Sequence, residues 1–136
     1  MIGPAFRNIL LVPVMMLCSV RAHAQDFSYL VIELRGAKLV AQDDQNTFLG
    51  TLESSYASNS IFNEYGSYGS EYSSKSIWNN YGKFGGEYSS YSPFNKFSST
   101  PPMIIKNGRV IGYLTANKSM RGAINPELIK AMSDEF

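Results

Sequence analysis

The sequence predicts a small α+β fold, in which an antiparallel sheet of about five strands carries an inserted aromatic repeat and one C-terminal helix. Three observations support this class. Residues 39–52 and 103–115 both have the pattern of a β-hairpin, and the two patterns are alike. Residues 56–98 between them repeat every 16 positions, and residues 125–132 carry the start signals and apolar spacing of a helix.

Residues 1–24 have the composition of a cleavable secretory signal peptide. Arg7 supplies a positive charge, residues 9–20 form an apolar run, and Ala22-His23-Ala24 has the small-x-small pattern of a signal-peptidase site. The apolar run is shorter than the roughly 20 residues that a membrane-spanning helix needs. We therefore expect cleavage after this site, no stable membrane insertion afterwards, and a single secreted or periplasmic domain over residues 25–136.

Cleavage would leave a chain with few kinds of chemistry. The only cysteine, Cys18, and the only histidine, His23, both lie in the segment that is removed. The remaining chain therefore excludes disulfides, zinc sites of the His/Cys type and Ser-His or Cys-His nucleophiles. It would carry ten basic and eleven acidic residues, a net charge of −1, which disfavours binding to nucleic acid. No cofactor and no metal site is expected.

Three strands are predicted before the repeat. Residues 29–34 and 38–42 are rich in aliphatic side chains, and a polar cluster at 43–46 separates the second of them from a third strand at 47–52. Gly50 in the third strand indicates a β-bulge or a place where an aromatic ring lies on the sheet.

The central repeat places the same residue types at the same positions in each unit. The recurring positions are Ser60, Ser76 and Ser92; Phe62, Trp78 and Phe94; Asn63, Asn79 and Asn95; Tyr65, Tyr81 and Phe97; Gly66 and Gly82; and Gly69 and Gly85. A serine that can cap one end and a glycine with positive φ at the other predict a single helical turn in each unit, over 61–65 and 77–81.

The composition of the repeat leaves three interpretations open. The rings form the core of a stacked scaffold, or they form an exposed aromatic platform, or the segment rich in Ser, Gly, Asn and Tyr is disordered. A packed scaffold is favoured, because aromatic residues held in register by a fixed period usually pack against one another.

A second hairpin is predicted after the repeat, from strands at 103–106 and 109–115. Asn107-Gly108 between them supplies the two positive φ angles of a type I′ turn. Gly112 holds the same place in this hairpin as Gly50 in the first, so it also indicates a bulge or a place where an aromatic ring lies on the sheet.

A C-terminal helix follows the second hairpin. Asn125 can cap its first turn, Pro126 suits the first helical position, and the charge of Glu127 is favourable near the positive end of the helix dipole. Leu128, Ile129 and Met132 then form a short apolar face.

The repeat and the segments after it resemble a group of bacterial secreted proteins of unknown function. In that group, tandem Tyr-Ser-x-x-Ser-Ile-x-Asn-x-Tyr-Gly units lead into a Ser-Pro-x-Asn segment, a Pro-Pro pair and a Gly-Tyr-Leu-Thr strand. The matching segments are Ser92-Pro93-Phe94-Asn95, Pro101-Pro102 and Gly112-Tyr113-Leu114-Thr115, and the resemblance covers about residues 39–126. It implies an exported bacterial protein and transfers no catalytic residue.

The function that these features favour is a non-catalytic interaction or structural module. Its partner would be a glycan or a protein of the cell envelope, held against the aromatic side chains of the repeat. The candidate ligand-binding residues are Trp78, Tyr65, Tyr81, Tyr68, Asn63 and Asn79. The two asparagines also suit a role in forming turns.

A carbohydrate-active hydrolase is the alternative. Glu71 and Glu87 occupy equivalent positions in two repeat units, and glycosidases use two carboxylates about 5 to 9 Å apart. It ranks second because a solvated surface is the usual place for glutamate. Burial of Trp78 and Tyr81 would favour a scaffold, whereas a groove with two facing glutamates would favour an enzyme.

Overall fold

A computed structural model of the chain describes residues 27–136, and the predicted signal peptide at 1–24 lies outside these residues. The chain divides into two compact units, with the boundary between Glu33 and Leu34. The described residues of the first unit are helical and belong to helix α1, which covers 27–34. The second unit contains the sheet, the repeat and the C-terminal helix.

The strand predicted at 29–34 is wrong, because this segment belongs to helix α1. Val31 and Leu34 are buried and the residues between them are exposed, which is the spacing of one helix face and not the alternation of a strand. Gly36 follows with φ +82°, a conformation that commonly ends a helix. A six-residue apolar run does not by itself distinguish a strand from a helix.

Five strands form one sheet in the order β2-β1-β3-β4-β5. The strands are β1 Lys38–Val40, β2 Phe48–Thr51, β3 Met103–Lys106, β4 Arg109–Leu114 and β5 Ala123–Ile124. The first four pair antiparallel, as predicted, and β5 pairs parallel to β4. The α+β class is confirmed, and four of the five predicted strands are present. The fifth strand is β5, which was not predicted, and its parallel pairing with β4 makes the sheet mixed.

The two hairpins of the sheet are built alike. In β1–β2 the register shifts just after the pair Leu39 and Gly50, and in β3–β4 it shifts just after the pair Ile104 and Gly112. β1 and β3 pair with each other, with Leu39 opposite Ile104. The hairpins therefore lie side by side about this central pair, and the bulges predicted at both glycines are confirmed.

The likeness continues beyond the hairpins. The backbone N–H of Thr51, at the end of β2, donates to the carbonyl of Asn59 at 2.8 Å, and that of Tyr113 donates to the carbonyl of Gly122 at 2.9 Å. Ser60 then forms a parallel bridge with Thr51, as β5 does with β4. After each hairpin the chain thus comes back to pair parallel with the hairpin's last strand. After the first hairpin this pairing begins the repeat, and after the second it forms β5, the last strand of the sheet.

Two local sequence signals are confirmed, the turn of the second hairpin and the cap of the C-terminal helix. Asn107 and Gly108 have φ angles of 53° and 75°, as a type I′ turn requires. Helix α2 covers Pro126–Ala131, and the side chain of Asn125 accepts a hydrogen bond from the backbone N–H of Glu127 at 2.8 Å. A 3-10 turn, Ser133–Glu135, follows the helix.

Between β2 and β3 the chain folds as a series of tight turns. About every third backbone N–H donates to the carbonyl three residues earlier, for example Asn63 to Ser60 at 3.2 Å and Gly66 to Asn63 at 3.0 Å. Gly66 and Gly82 do not have positive φ. The predicted single helical turns over 61–65 and 77–81 are therefore wrong. Serine and asparagine side chains also accept from nearby backbone N–H groups, a bonding pattern that competes with a helix.

The 16-residue period follows from the lengths of these turns. We call the number of residues from one turn hydrogen bond to the next a step. Each full unit has four steps of three residues and one step of four. In the four-residue step, Ser70 N–H donates to the carbonyl of Gly66 in the first unit, and Gly86 N–H donates to that of Gly82 in the second, both at 3.0 Å. The four-residue step contains one extra residue, and it is Gly69 in the first unit and Gly85 in the second.

Successive units lie against one another. The ring of Trp78 contacts the ring of Phe94 from the next unit, with centroids 5.8 Å apart. Its Nε1–H donates to the carbonyl of Ile61 from the preceding unit at 2.5 Å. Equivalent positions of the repeat are thereby brought next to each other as columns along the stack, as in other stacked-repeat folds.

The stack is attached to the sheet at both ends and through the core. At its start it is bonded to β2, and at its end the N–H of Ala116, after β4, donates to the carbonyl of Pro93 at 2.7 Å. Tyr68 packs edge-on against Phe48 of β2 with ring centroids 5.0 Å apart. The sheet, the repeat and α2 all contribute large side chains with essentially no exposure, among them Leu39, Leu49, Ile104 and Leu114; Ile61 and Ile77; and Ile129.

Candidate aromatic binding groove

Six aromatic side chains of the repeat are almost completely exposed to solvent. Each leaves at least 85% of its surface accessible, although rings of this size are usually largely buried. They occupy two repeat positions, column A (Tyr56, Tyr72 and Tyr88) and column B (Tyr65, Tyr81 and Phe97). The repeat thus contributes isoleucines to the core and two columns of rings to the surface.

Side-chain hydrogen bonds fix the backbone beneath these rings. The Asn79 carbonyl Oδ1 accepts from the N–H of Tyr81 at 3.1 Å, and its Nδ2 donates to the carbonyl of Ser73 at 3.1 Å. Asn63 makes the equivalent bonds in the preceding unit, and there it accepts from Tyr65. Each asparagine therefore joins two consecutive turns, so the rings of column B project from an ordered backbone.

A groove of about 730 Å³ lies between the repeat and the C-terminal helix. Four aromatic side chains line it, two half-buried and two from the exposed columns: Phe62, Trp78, Tyr65 and Tyr72. Three charged side chains also line it: Glu64, Glu71 and Lys130. We call this surface the aromatic groove. Rings beside a few charged groups are typical of sites for small polar ligands.

Trp78, a half-buried lining residue of the aromatic groove, is fixed by contacts with its neighbours. Its indole N–H is bonded to Ile61, and its ring packs on Phe94. The ammonium of Lys130, from α2, lies 5.5 Å from the centroid of the Trp78 ring. Phe62 beside it stacks on Phe136, with centroids 5.3 Å apart. The C-terminal segment therefore supports the groove through Phe136 and lines it with Lys130 and Ser133.

The two carboxylates give the groove its charge. The hydrogen bond and the negative charge of the Glu71 carboxylate raise the pKa of the Tyr72 hydroxyl, so this hydroxyl stays protonated well into the alkaline range. Glu64 and Glu71 are both exposed, and neither forms an ion pair with a residue of 27–136. With Lys130 as the one cation among the lining residues, the groove carries a net negative charge.

A buried carboxylate outside the lining of the aromatic groove joins the β1–β2 turn to the repeat. Asp43, in the β1–β2 turn, accepts hydrogen bonds from Thr47 N–H at 2.9 Å and from Thr47 Oγ1 at 2.6 Å, and Lys83 lies 3.5 Å away. Burial acts to raise the pKa of Asp43, but the Thr47 bonds and the Lys83 ammonium outweigh it and lower this pKa. Because its partners all lie within the protein, Asp43 has a structural role.

The six candidate ligand-binding residues fall in different places. Trp78 and Tyr65 line the aromatic groove, whereas Tyr81 is fully exposed outside its lining. Tyr68 is half-buried against the sheet. Both side-chain groups of Asn63 and of Asn79 are already bonded within the turns.

The glutamates of the alternative hydrolase do not share the groove. Glu71 lines it together with Glu64, and Glu87 is not among its lining residues. The second carboxylate in the groove is therefore one that the sequence did not single out.

Sequence reasoning also missed Phe62, Tyr72 and Lys130 as groove residues. A signal for the first two is present: every third residue of the repeat begins a turn, and the residue before the next turn is usually aromatic. Lys130 carries no such signal, because it approaches Trp78 from α2, which lies far along the chain.

Two further properties bear on the site. Within residues 27–136, His, Cys, Asp and Glu side chains nowhere gather in a group of three that could hold a metal ion. Among the helices of the same residues, none combines the length and apolar character needed to cross a bilayer.

In comparisons with known proteins, the chain matches no family model, no curated protein and no solved structure.

Proposed function

We propose that the protein is an exported, non-catalytic binding module that holds a glycan of the cell envelope against its aromatic repeat. The observation that carries the proposal is the exposure of six aromatic rings in two columns. Burying one such side chain contributes about 1.5–3 kcal/mol, so a chain that keeps six of them in water forgoes a large stabilisation. Exposed aromatic patches of this kind mark interaction surfaces.

The aromatic groove is where the ligand is expected to bind. Rings offer flat apolar faces to the C–H faces of sugars, and the neighbouring polar groups orient the ligand. Trp78 and the turns beneath Tyr65 are fixed by hydrogen bonds, so little conformational entropy is lost when a ligand binds. The hydrolase alternative gains no support, because Glu71 and Glu87 do not line the same groove.

Replacing Tyr65 by Ala is expected to weaken glycan binding about tenfold, because one stacked ring contributes roughly 1.4 kcal/mol. A glycan array with purified protein identifies the ligand, and titration calorimetry measures its affinity. Trp78, the only tryptophan of the chain, reports binding in the groove through its fluorescence. Tyr29→Ala serves as control, because it removes an exposed tyrosine outside the repeat. The proposal is contradicted if the protein binds no glycan, or if Tyr65→Ala binds the glycan as tightly as the wild type does. Capture of an envelope protein by the same surface would replace glycan with protein as the ligand.

Export through residues 1–24 is part of the same proposal. When the full chain is expressed in a bacterium with a general secretory pathway, the exported protein is expected to begin at Gln25, as measured by its intact mass. Ala24→Asp should block processing, because signal peptidase requires a small residue there. An exported wild-type protein that retains its first 24 residues would show that the segment is not a cleaved signal.

A further inference from the structure

We propose that the aromatic groove selects glycans whose sugars carry free, protonated amino groups over the same glycans in N-acetylated form. The inference rests on the proposed function, because it names the class of glycan that the groove binds. Its basis is a combination of three features: carboxylates that form no ion pair with a residue of 27–136, aromatic faces, and an ammonium group that already lies on one of these faces.

The first step concerns charge. Glu64 and Glu71 line the groove, are exposed, and have no ion-pair partner within the part of the chain that the structure describes. Lys130 does not neutralise either of them, since its ammonium lies over the Trp78 ring. A cleft with excess negative charge attracts cationic ligands and disfavours anionic ones.

The second step concerns the rings. An ammonium group is attracted to an aromatic face when it lies within about 6 Å of the ring centroid. Lys130 meets this condition on Trp78 at 5.5 Å, and Lys83 meets it on Tyr91 at 5.1 Å in another part of the repeat. The rings of this repeat therefore accept ammonium groups, and Tyr65 and Tyr72 offer exposed faces to a ligand in the groove.

The third step is the pairing of the two groups along the chain. Glu64 directly precedes Tyr65, and Glu71 directly precedes Tyr72. A glutamate thus directly precedes each exposed tyrosine of the groove, and the Glu71 carboxylate is hydrogen-bonded to the hydroxyl of Tyr72. An amino sugar presents an apolar C–H face and an ammonium group together, so it can use the ring and the carboxylate of one pair at once. N-acetylation removes the positive charge and leaves the rest of the sugar unchanged.

The test compares two oligosaccharides by titration calorimetry: a β-1,4-linked six-sugar chain of glucosamine and the matching chain of N-acetylglucosamine, in a mildly acidic buffer of low ionic strength. We expect the glucosamine chain to bind about tenfold more tightly, because each charged amine adds a cation–π or ionic contact. Glu64→Gln combined with Glu71→Gln should remove this difference by weakening the binding of the glucosamine chain. Glu87→Gln is the matched control, because Glu87 is the repeat equivalent of Glu71 outside the groove.

The outcomes separate the two levels of the proposal. Equal binding of both chains by the wild type overturns the selection for amines and leaves glycan binding intact, whereas binding of neither chain counts against both. Poly-lysine that displaces the glucosamine chain at equal amine concentration would make the groove a general cation site and overturn the selection for sugars. If circular dichroism shows that the double variant is unfolded, two other measurements decide. The preference for the glucosamine chain must fall in the single variant Glu64→Gln, and it must also fall in the wild type as salt is added.

Discussion

Replacing Gly85 by Ala is expected to lower the free energy of unfolding by about 3 kcal/mol, because the added methyl group would overlap backbone atoms of the repeat. A Cβ atom at this position would lie 2.1 Å from the carbonyl oxygen of Asn79 and 2.7 Å from that of Ile77. Both neighbours are backbone atoms, which cannot move aside as a flexible side chain can. For a domain of this size the midpoint of thermal unfolding should fall by about 15 °C.

The position of Gly85 explains why the contact is so close. It is the extra residue of the one four-residue step in its unit, and this step folds the chain back over the preceding asparagine turn. Gly69 has the same place in the first unit, where a Cβ would lie 2.0 Å from the carbonyl of Asn63. Neither glycine has positive φ, so the requirement for glycine is one of space.

Gly82→Ala is the matched control for this prediction. Gly82 lies in the same unit and also lacks positive φ, but its nearest neighbours are side-chain atoms of Asn79 at 3.3 Å, which can give way. Urea unfolding of both variants measures the difference between them. If Gly85→Ala is as stable as Gly82→Ala, the four-residue step is not packed as described.

The elements that were predicted correctly depend on neighbouring residues alone. The Asn107-Gly108 turn, the Asn125 cap and the bulges beside Gly50 and Gly112 each follow from the backbone preferences of a few residues. Such preferences act in the same way whatever the rest of the chain does. They can therefore be recognised in the sequence without knowledge of the tertiary structure.

The elements that were missed depend on tertiary contacts or on a second period. β5 is only two residues long, and its pairing with β4 depends on the return of the chain after that strand. In the repeat, a serine followed six residues later by a glycine suits both a helical turn and a series of three-residue turns, and the backbone hydrogen bonds show the second. The serine does accept from the N–H two residues on, yet it does so in a β-turn.

The aromatic groove could be predicted only in part for the same reason. The register of the repeat singled out Trp78 and Tyr65, because recurring aromatic residues are visible in the sequence. Whether a ring faces the core or the solvent depends on how the units stack on the sheet. Tyr68 and Tyr81 differ in this respect although both are third residues of their turns: one packs on Phe48 and the other is fully exposed.

Replacing Asp43 by Ala is expected to lower the free energy of unfolding at neutral pH by about 2–3 kcal/mol. The change removes two hydrogen bonds from Thr47 to a buried carboxylate and leaves the Thr47 N–H without its acceptor. The side chain of Asp43 is only 3% exposed, so water cannot readily replace the lost acceptor. Lys83→Met should cost less than about 1 kcal/mol, because the lysine side chain is 55% exposed and its ion pair is screened by solvent.

The lowered pKa of Asp43 also fixes the direction of a pH effect. Because the folded state holds the carboxylate more strongly than the unfolded chain does, its contribution is fully present above the pKa of the unfolded chain, near pH 4, and is lost as the pH falls through the lowered folded value. Asp43→Asn keeps the shape of the side chain but not its charge. Its stability deficit relative to the wild type should therefore be constant from pH 7 to about pH 5 and should shrink under more acidic conditions. A deficit that grows in acid would mean that Asp43 is protonated in the native protein, and that the bonds from Thr47 do not stabilise its charged form.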